Sequence, residues 1–244
     1  MRNGGTVLES RTTQTLTVGA EGGNGFDVGV NVFVTTAFGF QAAFTHSSAE
    51  VSGFAGDYTD YIKYVSRPPP NYDPVEVTST SSSPGRPPTG ALTSTSFALG
   101  GVVRWSGAHG RVGGTVSGGL HVDRYSGHVQ NPVYTQFVLG GHSTLFSTHH
   151  RLVMAVEESQ RFWGPYVAAD FHVGVGPRAG FFAGIRAMPG STITIPLSAD
   201  SLVDPSEDTW TPDIAAVQQV VGSQPMELPG MRWQFLAGVK AFVK

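Results

Sequence analysis

The chain has 244 residues, of which 32 are glycine, 40% are apolar and only 14% are charged. It has no cysteine, which excludes disulfide-stapled scaffolds and cysteine-ligated metal centres, and a net charge of −3, which gives no basic surface for nucleic acid. Glycine is used about twice as often as usual and charge is scarce, so a charged disordered tail is also excluded. No apolar stretch reaches the roughly 18 residues of a transmembrane helix, and no signal peptide opens the chain, so we expect a mature form.

Apolar residues alternate with small or polar residues along most of the chain, which predicts β-strands. The clearest example is Phe26–Val34, and the alternation resumes after a tight turn over Phe38–Ser47. An eight-stranded sheet is the alternative to a ten-stranded one. In chain order the ten predicted strands are Thr12–Glu21, Phe26–Val34, Phe38–Ser47, Thr95–Trp105, Arg111–Tyr125, Val133–Phe146, His150–Glu158, Tyr166–Val175, Ala179–Leu197 and Gly230–Lys244.

The predicted connections alternate between short and long, which indicates an up-and-down meander of a single domain covering residues 1–244. Short turns follow every second strand, and two long polar loops lie at Ala49–Ser94 and Ser198–Pro229. The short turns therefore share one end of the sheet and the long loops the other.

The smaller, more polar face of the predicted strands carries few charges, unlike the water-facing side of a soluble sandwich. The pattern agrees better with a barrel in which large apolar side chains face lipid and small polar side chains face a narrow lumen. A sheet in hydrocarbon must close, because an open edge leaves backbone groups unpaired. The fold class predicted is all-β, an up-and-down antiparallel transmembrane β-barrel. A soluble jelly roll or lectin-like sandwich is the alternative.

The segment Gly25–Val34, the Arg104-Trp105 pair before a short turn and the final strand resemble the small outer-membrane β-barrels of Gram-negative-type bacteria, the OmpA/OmpW-like surface proteins. The resemblance is one of architecture and carries no catalytic motif. It implies a bacterial outer-membrane location, contact with outer-membrane lipid and lipopolysaccharide, and a protein partner at the extracellular loops. It implies no cofactor.

The alternation assigns a balanced set of acidic and basic side chains to the lumen. This polar network is either the wall of a conduit or a set of ion pairs that plugs the interior, and the volume available in eight to ten strands favours the plug. Its members are Glu21, Asp27, Arg104, His121, Asp123, Arg151, Glu157, Asp170, His172, Arg186, Arg232 and Lys240.

Five aromatic residues in the first long loop are candidate contacts for a partner, because aromatic anchors on stiffened loops suit binding. They are Phe54, Tyr58, Tyr61, Tyr64 and Tyr72. A solvated loop without a partner is equally compatible with the sequence.

Motifs for catalysis and metal binding are weak. Asp123, Ser126 and His128 match a hydrolase triad in composition but not in order or spacing, and the acidic loop around Asp200 lacks the spacing of a calcium loop. The sequence therefore predicts no enzyme and no metal site. It favours a structural or surface-interaction barrel, with a narrow porin-like channel as the alternative and an outer-membrane hydrolase or protease as a lesser one.

Overall fold

The chain is all-β, an antiparallel curled sheet of up-and-down strands. Its structure is a computed structural model that describes residues 6–13, 16–55, 58–66, 73–84, 87–107, 111–131, 151–156, 161–175, 178–203, 214–215, 218 and 223–241. The strands are β1 Thr6–Thr13, β2 Leu16–Phe33, β3 Phe38–Ala55, β4 Tyr58–Ser66, β5 Val75–Ser83, β6 Thr89–Ser106, β7 Val112–Asn131, β8 Arg151–Val156, β9 Arg161–Gly174, β10 Ala179–Met188, β11 Ile193–Val203, β12 Gln224–Leu228 and β13 Arg232–Ala241.

Several of the thirteen strands follow one another along the same crossing of the sheet from one end to the other, and each such crossing is here called a pass. A three-stranded sheet of β1, β4 and β5 continues the larger sheet. The β4–β5 pairing of Tyr58 with Ser83 keeps the same register as the β3–β6 pairing of Glu50 with Ala91. Within the described residues the chain runs along the sheet seven times. The seven passes are β1–β2, β3–β4, β5–β6, β7, β8–β9, β10–β11 and β12–β13.

The turn at residues 34–37, the end of β6 with the start of β7, and the end of β9 with the start of β10 all lie at one end of the sheet, here called the turn end. The opposite end, from which β1, β4 and β5 project, is the loop end. The sheet curls until β12 lies beside β2, but β2 pairs only with β3 and β13 only with β10 in the described part of the chain.

The predicted up-and-down antiparallel arrangement of the strands is confirmed, while several strand limits were wrong. The predicted turn Ser147–His149 lies outside the described residues. Most of the predicted strands Thr12–Glu21 and Phe26–Val34 belongs to one strand, β2, which runs from Leu16 to Phe33. The intervening glycines form a bulge after Glu21 rather than a turn, with Gly22 at φ +40°. The predicted strand Ala179–Leu197 is interrupted between β10 and β11. Val133–Phe146 lies outside the described residues.

The predicted loop Ala49–Ser94 was also wrong, because it contains β4, β5 and the first residues of β6. Part of the predicted loop Ser198–Pro229 likewise pairs, as the end of β11 and as β12. β4 and β5 carry polar residues on both faces, so they show no contrast between an apolar and a polar side.

The outer wall is apolar over the half of the sheet nearer the turn end. We call this surface the apolar band. Its exposed side chains are Phe26, Val28, Val30, Val32, Val34, Phe38, Phe40, Phe44, Phe97, Leu99, Val103, Trp105, Val112, Val116, Leu120, Trp163, Val167, Phe171, Val173, Val175, Phe181, Met231, Trp233, Phe235 and Val239.

Polarity reverses toward the loop end. There the outer wall presents polar side chains such as Glu50, Ser126, His128 and Glu227, and the concave face carries the main apolar core. This loop-end core draws on all seven passes. Its buried members are Val18, Val51, Leu92, Tyr125, Val129, Leu152, Met154, Val156, Ile195, Leu197, Met226 and Leu228.

Candidate functional site

The candidate site is the polar part of the concave face, below the loop-end core. Three ion pairs lie there, and each joins strands that are not neighbours in the sheet: Asp27 with Arg186, Asp123 with Arg232, and Asp170 with Lys240. Each pair therefore crosses the curve of the sheet and stabilises it.

The Asp123 cluster lies directly beneath the loop-end core. Arg232 Nη1 donates to Asp123 Oδ2 at 2.5 Å and also to the hydroxyl of Tyr125, while Arg232 Nη2 lies 3.1 Å from His121 Nε2. His121 Nε2 is 3.3 Å from the same carboxylate oxygen. Asp123 and His121 are almost fully buried, so this carboxylate depends on these partners in place of water.

The Arg186 cluster links the two edge strands of the sheet, β2 and β13. Arg186 Nη1 donates to Asp27 Oδ2 on β2 at 2.8 Å, to Thr45 Oγ1 on β3 at 2.9 Å and to Gln234 Oε1 on β13 at 3.0 Å. Thr45 in turn donates to Asp27 at 2.6 Å. The guanidinium is buried, and a planar group with five donors suits a site with several acceptors.

The Asp170 cluster lies nearest the turn end. Lys240 Nζ donates to Asp170 Oδ1 at 2.6 Å, Thr115 donates to the other carboxylate oxygen, and His172 Nδ1 lies 3.9 Å from Oδ1. Lys240 also lies 5.6 Å from the centre of the Phe182 ring. The carboxylate accepts hydrogen bonds from side chains on two other strands, β13 and β7.

Both buried histidines lie against glycines on the facing strand. His121 is paired with Gly164 and His172 with Gly113 across the β7–β9 ladder. A Cβ atom on Gly164 would lie 2.9 Å from the His121 ring, and one on Gly113 would lie 2.9 Å from the His172 ring. Glycine at these positions makes room for an imidazole in a narrow interior, which explains part of the high glycine content.

The three clusters hold their acidic and basic side chains in ion pairs. Among the described residues, no group of three or more His, Cys, Asp or Glu side chains could hold a metal ion. Each of the three carboxylates is matched by a cation of its own, so these groups can pair, hydrogen bond and brace the sheet across its curve.

The loop-end core fills the concave face above these clusters. Leu152, Met154, Ile195, Leu197 and Met226 are 0–1% exposed. A side chain bordering a water-wide passage would be measurably exposed to it, so no such passage runs between these five.

Other predicted lumen residues lie elsewhere. Arg104 is exposed at the turn end, where its Nε donates to Thr36 O at 2.6 Å and its guanidinium covers the Phe33 ring. Glu21 lies in β2 and Arg151 in β8, and Glu157 is outside the described residues. Arg104 therefore caps the rim and takes no part in the three clusters.

The structure does not assemble the triad suggested by composition. Asp123 faces the concave side and is buried, whereas Ser126 and His128 lie on the opposite face and are exposed. His128 Nε2 instead lies 3.9 Å from Asp200 Oδ2 in a solvent-exposed pair. The odd spacing from Asp123 places the carboxylate on the other side of the strand from both partners.

The aromatic loop candidates whose side chains are described do not form one patch. Phe54 is exposed near the end of β3, whereas Tyr61 and Tyr64 are half-buried in β4 and face opposite sides of it. Tyr58 begins β4, and Tyr72 lies outside the described residues.

The hydroxyl-bearing partners in the clusters were not singled out from the sequence. Thr45, Thr115, Tyr125 and Tyr166 all lie at inward positions of their strands, and Tyr166 OH donates to Gln41 Oε1 at 3.1 Å. The alternation that assigned the charged residues could have found them.

A scan against protein families, a search of curated proteins and a search of solved structures all return no match for this chain. Among the described residues there is also no helix long and apolar enough to cross a membrane.

Proposed function

We propose that this chain is an integral outer-membrane β-barrel with a side-chain-filled interior, serving a structural or surface-interaction role through its loop end. The single observation that carries the proposal is the reversal of polarity along the same strands. Near the turn end apolar side chains face outward and ion pairs face inward, whereas near the loop end the order is the opposite.

The reversal matches a barrel whose turn-end half lies in hydrocarbon and whose loop-end half lies in water. An exposed apolar surface of this size is rare on a soluble monomer, where the largest patch covers about 300–600 Å². Phe235 is 83% exposed in the middle of the β13 section of the band. Lipid provides apolar surroundings for such side chains, whereas water does not.

The height of the apolar band also agrees with that of the apolar belt of an outer-membrane barrel. From Phe26 to Val34 the band covers eight residue steps of β2, roughly 26 Å along the strand at about 3.3 Å per residue. A strand tilt of roughly 40° reduces this to about 20 Å, close to the roughly 25 Å apolar belt of outer-membrane barrels. Trp163 and Trp233 lie toward the loop-end limit of the band and Trp105 toward its turn-end limit, as interfacial tryptophans do.

A membrane location requires the edges of β2 and β13 to close. The Arg186 bridge to Asp27 and Gln234 and the packing of β12 beside β2 bring these edges toward each other and support closure. In lipid, an edge left open costs several kcal/mol for each unsatisfied backbone group.

The filled interior favours a structural or surface role over a channel. The loop-end core and the three ion pairs together occupy the concave face that a conducting pore would keep open. The three-stranded extension β1–β4–β5 projects beyond the apolar band and is the surface available to a partner.

Fractionation and gel mobility test the proposal. The protein expressed in a Gram-negative host should sediment with outer membranes, and unheated samples should migrate differently from boiled ones on SDS gels. Full solubility without detergent, with the same mobility before and after boiling, would overturn it.

Planar-bilayer recording separates the structural role from the channel. The purified barrel should give no steady conductance steps, because the loop-end core blocks the water path. Steady steps would replace the structural role with a narrow solute channel while leaving the membrane location intact.

A further inference from the structure

The two edges of the sheet run in the same direction. Among the described strands, six antiparallel pairings in succession lead from β2 to β13 through β3, β6, β7, β9 and β10. Each pairing reverses the strand direction, so β2 and β13 both run from the loop end to the turn end. The gap between β2 and the β12–β13 pass is here called the seam. A direct pairing across the seam is therefore parallel.

One guanidinium nitrogen fixes the relative height of the two edges. Asp27 on β2 is paired with Thr45 on β3, and Gln234 on β13 is paired with Arg186 on β10. Arg186 Nη1 donates to Asp27, Thr45 and Gln234 at 2.8, 2.9 and 3.0 Å. Asp27 and Gln234 therefore lie at the same level on the two sides of the seam. Their positions along the strands agree, since Asp27 lies six residues before the end of β2 and Gln234 seven before the end of β13.

The same register matches the two faces of the edge strands. With Asp27 opposite Gln234, Val30 lies opposite Ala237. Two residues further along, Val32 lies opposite Val239. These side chains are exposed on the outer wall, so the apolar surface continues across the seam. A shift of one residue would instead place the outward apolar side chains of one strand beside the inward side chains of the other.

The edges are too close for another strand to lie between them at the loop end. Cα atoms of β12 come within 8 Å of Cα atoms of β2. A strand inserted between two others holds them roughly 9.6 Å apart, which is twice the spacing of neighbouring strands. The approach of β12 to β2 therefore favours direct contact between the two edges.

We propose that β2 and β13 pair directly and in parallel, with Asp27 opposite Gln234, and close the seven passes into a barrel with one parallel seam. The pairing gives hydrogen-bond partners to the edge backbone groups, which hydrocarbon would otherwise leave unpaired. The Arg186 cluster sets the register from the concave side, because it binds side chains of both edges. This seam rests on the proposed membrane location.

Engineered disulfides test the seam without background, because the chain has no cysteine. Val30→Cys/Ala237→Cys and Val32→Cys/Val239→Cys place thiols on opposite outward positions, and neighbouring strands bring such Cα atoms within disulfide range. After oxidation in detergent micelles, most of the folded protein should carry the intramolecular disulfide. It is detected as a reducible change in the mobility of boiled protein and by mass mapping of the linked peptides.

The matched control is Val32→Cys/Phe235→Cys, whose positions are four residues out of register, roughly 13 Å along the strand. It should form little disulfide. Failure of both register pairs to link, or an equal yield in the control, would overturn the parallel seam. Disulfide-linked dimers in place of intramolecular bonds would also overturn it, by showing that the edges pair between copies.

Hydrogen exchange of the wild type in micelles tests the seam independently of any variant. The backbone amides of β13 should be as protected as those of β10, which has a strand on each side. Rapid exchange of every second amide in β13 would show an open edge and overturn the seam.

Heat-modifiable mobility, measured on the same samples, separates the seam from the barrel. A heat-modifiable protein that forms no register-specific disulfide has lost the parallel seam and keeps the proposed function. A wild type without heat-modifiable mobility would instead refute the membrane barrel itself.

Discussion

Replacing Phe235 with arginine distinguishes lipid from water around the apolar band, because the two surroundings predict different effects. Phe235 lies on the outer wall midway along the β13 section of the band, which runs from Met231 to Val239, and is 83% exposed. On a water-facing surface, Phe235→Arg should change stability by no more than about 0.5 kcal/mol. At the middle of a bilayer, the same change should cost roughly 2–4 kcal/mol.

In the membrane case the folding equilibrium constant should fall by roughly 30-fold to 700-fold. The assay is urea unfolding in lipid vesicles, followed by tryptophan fluorescence and by the fraction of heat-modifiable protein. Ser126→Arg is the matched control, because Ser126 is exposed on the outer wall beyond the band. It should be nearly neutral. If Phe235→Arg were as neutral as Ser126→Arg in vesicles, the band would not face lipid and the membrane barrel would be refuted.

Three further predictions concern the interior. Arg186→Met should destabilise the folded state by about 3–5 kcal/mol, because it leaves the partly buried Asp27 without its cation. Adding Asp27→Asn should recover part of that loss, as measured by a double-mutant cycle of urea unfolding. Gly164→Ala should lower the free energy of unfolding by about 1–3 kcal/mol, because the new Cβ would overlap the His121 ring. Gly101→Ala should be nearly neutral, because its Cβ would lie 3.7 Å from Phe38. Equal unfolding midpoints of the two variants would contradict this prediction. Leu197→Ala should cost about 2–5 kcal/mol through the cavity it leaves in the loop-end core, and a much smaller effect would show that the core is not closed.

The sequence was informative wherever the two faces of a strand differ in polarity. The run from Phe26 to Val34 predicted an apolar face, and the same side chains form the β2 section of the band. Strand direction and alternation also assigned Asp123 and Arg232 to one side of the sheet, where they meet. Alternation gives the face of a residue but not its level along the axis, so it could not say which acid pairs with which base.

The sequence was uninformative where both faces are polar. In β5 the run Thr78–Ser83 has the same hydroxyl chemistry on both sides, so no period of two could be detected. Its pairing with β4 depends on a register inherited from β3 and β6. Long-range pairing of this kind is invisible to a local pattern, which is why a loop was predicted there.

Arg104 shows a related limit of a local pattern. Its inward position was inferred correctly from alternation, since Val102 beside it on the same face is fully buried. Position along the strand decided its surroundings instead, because Arg104 lies so close to the turn that the interior has already opened to solvent. A cation at that level can reach Thr36 O and the Phe33 ring and needs no carboxylate.

The reversal of polarity along the strands also explains why a weakly charged chain can hold six buried or half-buried charges. In a soluble fold an apolar interior would surround the ion pairs, and their desolvation would have to be offset by the remaining core. Here the apolar side chains near the turn end face outward, so the interior at that level is left to polar groups, and each of these six charges meets an opposite one. The apolar core is confined to the loop end, where the outer wall is polar. With the proposed membrane location, each half of the molecule is consistent with its surroundings. Exchanging the surroundings of the two halves would expose a large apolar surface to water and place charged side chains in lipid.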